Sequence, residues 1–145
     1  MFNSTTEYAL RAAVFLAEVP DGYHTAQVVA EATHVSVQYM SKVLKHLAES
    51  GVAISQRGPS GGFALARPPA QINLLEVVQA VQPIQRIIDC PLGLPEHKHE
   101  LCPLHKAMDE LAVIAQNHLR SKSLAELVAE PIVPLGISAK KHRSA

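Results

Sequence analysis

A short glycine-rich turn between two apolar segments most constrains the fold of this 145-residue chain. The turn reads Arg-Gly-Pro-Ser-Gly-Gly over residues 57–62, and it lies between an apolar segment at Ile54 and a second segment through Phe63, Leu65 and Arg67. Glycine readily adopts the positive φ angles of a tight exposed turn, and proline fixes one further angle. The pattern therefore predicts a β-hairpin with an arginine in its turn.

Three helices are predicted before this hairpin. Apolar residues recur at three- and four-residue spacings over residues 4–19, 26–32 and 36–51. Two residues can cap the second and third helices, namely Thr25 and Ser36. We expect Val28 of the second helix to face inward, and we expect the third helix to be polar on its outer face.

Two short helices joined by a three-residue turn, with a hairpin behind the second, predict a winged helix-turn-helix, whose usual ligand is duplex DNA. The third helix would enter the major groove, and Arg57 would reach the neighbouring minor groove. The candidate DNA-binding residues are Ser36, Gln38, Tyr39, Ser41, Lys42, Arg57, Ser60 and Gly61. For Gln38, Ser41 and Lys42 the alternative is an ordinary solvated face, and Tyr39 could lie partly in the core.

The charge of the chain neither supports nor opposes a nucleic-acid ligand. Lysine plus arginine and aspartate plus glutamate number 13 each, so the formal net charge is zero. DNA affinity must therefore come from the positions of the cations, since a basic excess is absent. The few aromatic residues leave little for stacking on single-stranded bases.

A fourth helix and a long loop are predicted after the hairpin. Asn73 and Glu76 have the spacing of a capping box for a helix over residues 74–81. Residues 84–101 show no sustained periodicity, and a loop of this length usually has a function.

A long helix is expected from Pro103, which suits the first helical position, to about residue 122, with a short helix over 123–130. Apolar residues of the long helix lie four, three and four positions apart and form a heptad-like seam: Leu104, Met108, Leu111 and Ala115. We interpret this seam as a homodimer interface, because a small winged helix has no core left for it and helix-turn-helix proteins match two-fold DNA sites. The alternative is a helix folded back on its own domain. The predicted division is a winged-helix DNA-binding domain (1–82), a ligand loop (83–101), a dimerisation helix with a short C-terminal helix (102–130) and a mobile tail (131–145).

Both cysteines of the chain, Cys90 and Cys102, bracket the irregular loop. Three histidines, His97, His99 and His105, lie within five residues of Cys102. Thiolate and imidazole bind zinc and iron, and Cys102 and His105 can point to one centre at a helix start. The Cys-x-x-Cys pair of a zinc finger is missing, and buried cysteines often serve only as small apolar residues. Metal-binding and metal-free interpretations both remain open on these grounds.

Five segments of the chain resemble the Rrf2 family of winged-helix regulators, and the resemblance extends to about residue 130. They are TEYALR at 6–11, VSVQYM at 35–40, RGPSGGF at 57–63, LEVV at 75–78 and LAELV at 124–128. The resemblance implies a mainly α fold with a small β-hairpin wing, and a dimeric transcription regulator that binds a two-fold operator in double-stranded DNA. It also implies a sensor of redox state, iron or nitric oxide.

The resemblance further implies a set of cluster ligands. Members that bind an iron–sulfur cluster have three cysteines in this loop, whereas this chain keeps the outer two and has Glu96 at the middle position. His105 matches a family cluster ligand, and Glu7 matches a first-helix carboxylate that reaches the cluster of the partner subunit. The ligands expected for a two-iron, two-sulfur cluster are Cys90, Cys102 and His105 with one of His97, Glu96 or Glu7. The family also includes members without a cluster.

No apolar run approaches the roughly 18–20 residues of a membrane span. Charges at Glu7, Arg11 and Glu18 interrupt the first apolar stretch, so a signal peptide is not indicated. We therefore expect a cytoplasmic protein with no membrane partner. One alternative function is a protein-interaction module. Another is an enzyme that pairs Cys102 with His105, but no third orienting residue is apparent, so we expect no enzyme.

Overall fold

The computed structural model describes residues 1–130, which form six helices and one small antiparallel hairpin. The helices are α1 (Ser4–Glu18), α2 (Ala26–Thr33), α3 (Val37–Glu49), α4 (Leu74–Val81), α5 (Pro103–Arg120) and α6 (Leu124–Ala129). The strands are β1 (Ala53–Gln56) and β2 (Gly62–Leu65), and short 3₁₀ turns occur at Pro69–Gln71 and Pro95–His97. The predicted mainly α fold with a hairpin wing is confirmed. The mobile tail predicted for residues 131–145 lies outside the described residues.

Capping residues fix where the helices of the first domain begin. The Thr25 and Ser36 side chains accept hydrogen bonds from backbone N–H groups of α2 and α3, as predicted. Asn73 and Glu76 form the predicted reciprocal capping box of α4. At the end of α2, His34 adopts a left-handed φ of 58° and turns the chain into α3.

The core lies where α1, α3, the hairpin and α4 meet. Ala9, Ala12 and Ala13 are completely buried on α1, so their small side chains allow neighbouring helices to approach closely. The largest completely buried residues include Leu16, Met40, Leu44, Leu47, Ile72 and Leu124. Because Leu124 belongs to this core, α6 packs with the winged-helix segment that precedes the loop.

Two details of the sequence interpretation are wrong. Val28 is 43% exposed, because Val29 and Ala30 supply the buried face of α2. Arg67 lies beyond β2, and its guanidinium instead donates to the Gln71 carbonyl and to Glu76. The long helix ends at Arg120, close to the predicted end at about residue 122.

The C-terminal end of α5 packs on α4. Leu119 forms a second small cluster of buried residues with Leu75 and Val78. We expected the winged-helix domain to offer α5 no core surface to pack on, and at the C-terminal end of α5 this expectation is wrong. Nearer its start, α5 keeps Leu104 and Leu111 more than half exposed. No helix within residues 1–130 is long and apolar enough to span a membrane.

Candidate nucleic-acid interface and cysteine loop

The outer face of α3 carries the polar side chains that were predicted there. Gln38, Ser41 and Lys42 are exposed, whereas the apolar residues on the opposite face are buried. Ser36 is also exposed, and its Oγ accepts a hydrogen bond from the Tyr39 backbone N–H at 3.3 Å. Helix α3 thus has one face that anchors it in the core and one that is open to a ligand.

At the wing turn, Arg57 and Ser60 are exposed but Gly61 is buried. The Gly61 N–H donates to the Gly58 carbonyl at 3.0 Å. A Cβ at position 61 would lie 2.2 Å from the Gln56 carbonyl oxygen. Gly61 therefore shapes the turn, while Arg57 and Ser60 are the side chains that the wing presents.

The base of the wing is fixed to the segment between α1 and α2. His24 and Phe63 exchange two backbone hydrogen bonds of 2.9 and 2.7 Å. The His24 ring packs edge-on against Phe15, with 5.6 Å between the centroids, and its Nε2 lies 3.0 Å from the Val19 carbonyl oxygen. A Cβ at Gly62 would lie 2.4 Å from the His24 carbonyl group. Only glycine permits this approach.

Tyr39 is 55% exposed and does not belong to the core. Its ring meets Tyr8 of α1 edge-on, with 6.1 Å between the centroids. Arg11 lies over the Tyr8 ring and donates to the Thr33 carbonyl at 3.3 Å, so α1 contacts both helices of the helix-turn-helix. Sequence reasoning did not select Tyr8 or Arg11 as site residues, although the four-residue spacing of Glu7 and Arg11 was a usable signal.

The cysteine loop and the start of α5 hold two thiol–imidazole pairs. Cys90 Sγ lies 3.6 Å from His97 Nδ1, and Cys102 Sγ lies 3.3 Å from His105 Nδ1. Cys102 is the N-cap residue of α5, so the helix start fixes the second pair. Hydrogen bonds from the Leu94 backbone N–H and from the His97 ring lower the pKa of the Cys90 thiol, which favours the thiolate that binds metals.

One member of each pair lines a shared surface cavity, but the two pairs do not form a single ligand set. The cavity has a volume of about 540 Å³, and its lining includes His97 and Cys102. Within residues 1–130, no three His, Cys, Asp or Glu side chains are placed to hold one metal ion. The predicted set of Cys90, Cys102 and His105 is therefore not assembled in one copy. Two thiols and two imidazoles nevertheless suit iron or zinc by their donor chemistry.

The other candidate ligands do not take part in these pairs, although Glu96 lines the same cavity. Glu7 Oε1 forms an ion pair with Arg11, at 3.1 Å from Nη2 and 3.2 Å from Nε. Glu96 and His99 are exposed on the loop. Use of Glu7 as a ligand would require its carboxylate to leave Arg11.

A family described as "Rrf2: Iron-dependent Transcriptional regulator" matches residues 2–130. The chain belongs to the Rrf2 family. The match runs from α1 to α6, so it includes the helix-turn-helix, the wing and the cysteine loop. The resemblance that the sequence motifs indicated is therefore confirmed, and the family is one of transcriptional regulators.

Solved structures show a similar fold. IscR from T. potens matches with a TM-score of 0.71 and 20% identity, over 88% of this chain and 85% of that chain. CymR, the global cysteine regulator of B. subtilis, gives a TM-score of 0.70 and 19% identity, over 88% and 95% of the two chains. Staphylococcus aureus CymR gives 0.70 and 19%, over 90% and 100%. At these identities the likeness shows the fold alone.

One ion pair attaches the cysteine loop of this Rrf2 protein to α5. Arg86 Nε and Nη2 donate to the two carboxylate oxygens of Asp109 at 2.6 and 2.7 Å. The Ile87 backbone N–H donates to the same carboxylate at 2.9 Å. Hydrogen bonding to Arg86 lowers the pKa of Asp109, and hydrogen bonding to Asp109 raises the pKa of Arg86. The two residues are 23 positions apart, so no local spacing in the sequence indicates this contact.

Helix α5 also presents an apolar stripe to solvent. Its members are between 51% and 65% exposed: Leu104, Met108, Leu111 and Ile114. A shallow cavity of about 270 Å³ continues the stripe toward the chain start, between Met108 and Leu111 on one side and Phe2 on the other. A contiguous apolar surface of this kind is typical of a protein–protein interface.

Proposed function

We propose that this Rrf2 protein is a cytoplasmic, homodimeric and sequence-specific DNA-binding regulator. We further propose that it senses redox state, iron or nitric oxide through an iron–sulfur cluster in the cysteine loop. The observation that supports DNA binding most strongly is that the polar face of α3 and Arg57 of the wing that follows it are both exposed.

On DNA, α3 would lie in the major groove, where Gln38 and Ser41 would contact base edges and Lys42 a phosphate. Arg57 would enter the adjacent minor groove, whose negative potential attracts a guanidinium. Ser60 would contact the sugar-phosphate chain from the wing, and Gly61 would set the shape of the turn that presents it. The His24–Phe63 hydrogen bonds and the Tyr8–Tyr39 contact would hold the wing and α3 in fixed relative positions.

The apolar stripe on α5 supports the homodimer. Leu104, Met108 and Leu111 lie three and four residues apart, so they share one helix face that a second copy of α5 would cover. A dimer formed in this way presents two α3 helices, and such pairs fit operators whose half-sites are one helical turn of DNA apart, about 34 Å.

The two thiol–imidazole pairs support metal binding. Cys90, Cys102 and His105 would supply three ligands, with His97 or Glu7 of the partner subunit as the fourth. When bound, a two-iron, two-sulfur cluster supplies a centre that exchanges one electron. Because Cys90 belongs to the loop and Cys102 to α5, shared ligation would hold the loop against the proposed dimerisation helix. Loss of that ligation would release the loop and change the spacing of the two α3 helices.

The cluster is tested by anaerobic purification followed by visible absorption, iron and sulfide analysis. We expect a coloured wild-type protein and colourless Cys90→Ala and Cys102→Ala variants, with His118→Ala of α5 as a coloured control. Zinc in place of iron would support the zinc-binding alternative. A colourless, metal-free wild type with equal operator affinity under reducing and oxidising conditions would contradict the sensor and leave DNA binding intact.

DNA binding is tested with Lys42→Ala on an operator selected from random sequence. If Lys42 contacts a phosphate, the variant binds more weakly, and the slope of its affinity against salt falls by about one contact. Lys106→Ala removes the same side chain from α5 and serves as the control. Equal salt dependence of the wild type and Lys42→Ala would contradict the proposed docking of α3.

A further inference from the structure

We propose that Asp109 is a positioning residue for the cysteine loop. With Arg86 and the Ile87 backbone it forms a clamp that limits how far Cys90 can lie from Cys102. The role of the clamp in metal binding rests on the proposed function, whereas its effect on the two cysteines does not.

The contacts of the clamp converge on one carboxylate. Asp109 accepts two hydrogen bonds from the Arg86 guanidinium and a third from the Ile87 N–H. Its side chain is only 14% exposed, compared with 45% for Arg86. A bidentate pair with a sheltered carboxylate is stronger and more directional than an ordinary exposed ion pair. The clamp therefore fixes the chain at Ile87.

The clamp is the last attachment to a helix before Cys90 among the described residues. The next backbone hydrogen bond along the chain runs from Gly93 to the Cys90 carbonyl and lies inside the loop. Cys90 follows Ile87 by three positions, and a stretch of that length spans at most about 11 Å. Cys90 is therefore held within a short reach of α5.

Without the clamp, the nearest attachment would be Ile84. Its N–H donates to Gln79 at 3.2 Å, and its carbonyl accepts from Gln116 at 2.7 Å. Ile84 lies six residues before Cys90, which allows a reach of about 22 Å. Loss of the clamp would thus double the distance that Cys90 can move from its nearest attachment to a helix.

The helical end of the clamp lies on the same face of α5 as the second thiol–imidazole pair. Asp109 follows His105 by four residues and Cys102 by seven. Residues at these spacings share one side of a helix. The clamp therefore brings the loop to the side of α5 on which Cys102 and His105 stand, and this is the placement that a shared ligand requires.

The test uses the two cysteines, which are the only ones in the chain. A short bismaleimide cross-linker is applied to the metal-free protein, and intact mass spectrometry measures the intramolecular Cys90–Cys102 product. We expect the rate of this product to fall severalfold in both Asp109→Asn and Arg86→Gln. Glu110→Gln makes the matched charge change on the exposed neighbour and should behave as wild type. Circular dichroism and sedimentation confirm that all variants keep the fold and the oligomeric state.

A second measurement is titration with Co²⁺, whose thiolate absorption reports metal binding. We expect Asp109→Asn to bind Co²⁺ about tenfold more weakly, the scale seen when groups that orient metal ligands are lost. Unchanged cross-linking in Asp109→Asn and Arg86→Gln would overturn the proposal. Weaker cross-linking with unchanged Co²⁺ affinity would contradict the role of the clamp in metal binding and support its effect on the two cysteines. If the wild type binds neither Co²⁺ nor iron, but both variants still cross-link more slowly than the wild type, the metal site is refuted and the clamp is retained.

Discussion

The wing and the cysteine loop both leave the helical framework, but they are held in different ways. The wing is paired strand to strand and bonded through its backbone to His24, with Gly62 in close contact. The cysteine loop is tied to α5 through side chains at Arg86 and Asp109, and its one regular element is a 3₁₀ turn at Pro95–His97. A preorganised wing suits a rigid ligand such as duplex DNA. A loop held at few points along its length suits a ligand that orders the remainder on binding.

The largest effect is expected on dimer affinity, from a substitution in α5, the helix to which the loop is tied. Leu111→Asp places a carboxylate in the proposed interface, and burial of an unpaired charge costs about 4 kcal/mol. The dimer dissociation constant should then rise roughly a thousandfold. Sedimentation at micromolar concentration measures this change, and Asn117→Asp is the control, because Asn117 is exposed on α5 and is not a member of the stripe. A Leu111→Asp variant that remains dimeric would remove the stripe from the interface.

The next largest effect is expected on the stability of the fold, from substitutions in the wing. Gly62→Ala should destabilise the fold by about 3 kcal/mol, because the new Cβ meets the His24 carbonyl group and the positive φ adds strain. Gly58→Ala has a positive φ of 103° but no neighbour within 4 Å, so it should cost only about 1 kcal/mol. Urea unfolding measures both. Equal losses in the two variants would show that the wing is not held closely against His24.

Sequence reasoning succeeded where the signal is local. The caps at Thr25, Ser36 and Asn73 involve residues three positions apart, and the glycines of the wing mark a turn whose geometry few other residues allow. These features recur wherever the same short pattern occurs. The helix-turn-helix and the wing could therefore be predicted from the sequence.

Sequence reasoning failed where distant segments meet. The sequence indicates thiol and imidazole ligands and places Cys102 with His105 at a helix start, but no periodicity shows that the irregular loop brings Cys90 to His97. The Arg86–Asp109 contact depends on how the loop returns to α5, and side-chain exposure such as that of Val28 depends on the whole core. Long-range packing decides these features.

A smaller effect is expected on operator affinity, and it tests what the wing contributes to DNA binding apart from the helices. Arg57→Ala should weaken operator binding by about 2 kcal/mol and reduce sequence preference, if the guanidinium reads a narrow minor groove. Because the Arg57 side chain is exposed, the stability of the fold should not change. Fluorescence anisotropy on matched and scrambled operators measures the loss, with Arg120→Ala of α5 as the control. Unchanged preference in Arg57→Ala would exclude the wing from sequence recognition.

The smallest effect is the pH dependence of the loop attachment. The pKa of Asp109 is lowered in the folded protein by its hydrogen bonds with Arg86, so the folded state favours the ionised carboxylate. The stabilisation is therefore complete above the unfolded pKa of about 3.9, and it is lost as the pH falls through the lower folded pKa. The difference in unfolding free energy between wild type and Asp109→Asn should be constant from pH 7 to about pH 5 and should shrink below pH 4. Urea unfolding at each pH measures it, and Glu110→Gln should not show this decrease. A difference between wild type and Asp109→Asn that stays constant below pH 4 would mean that the charge of Asp109 contributes nothing to holding the loop on α5.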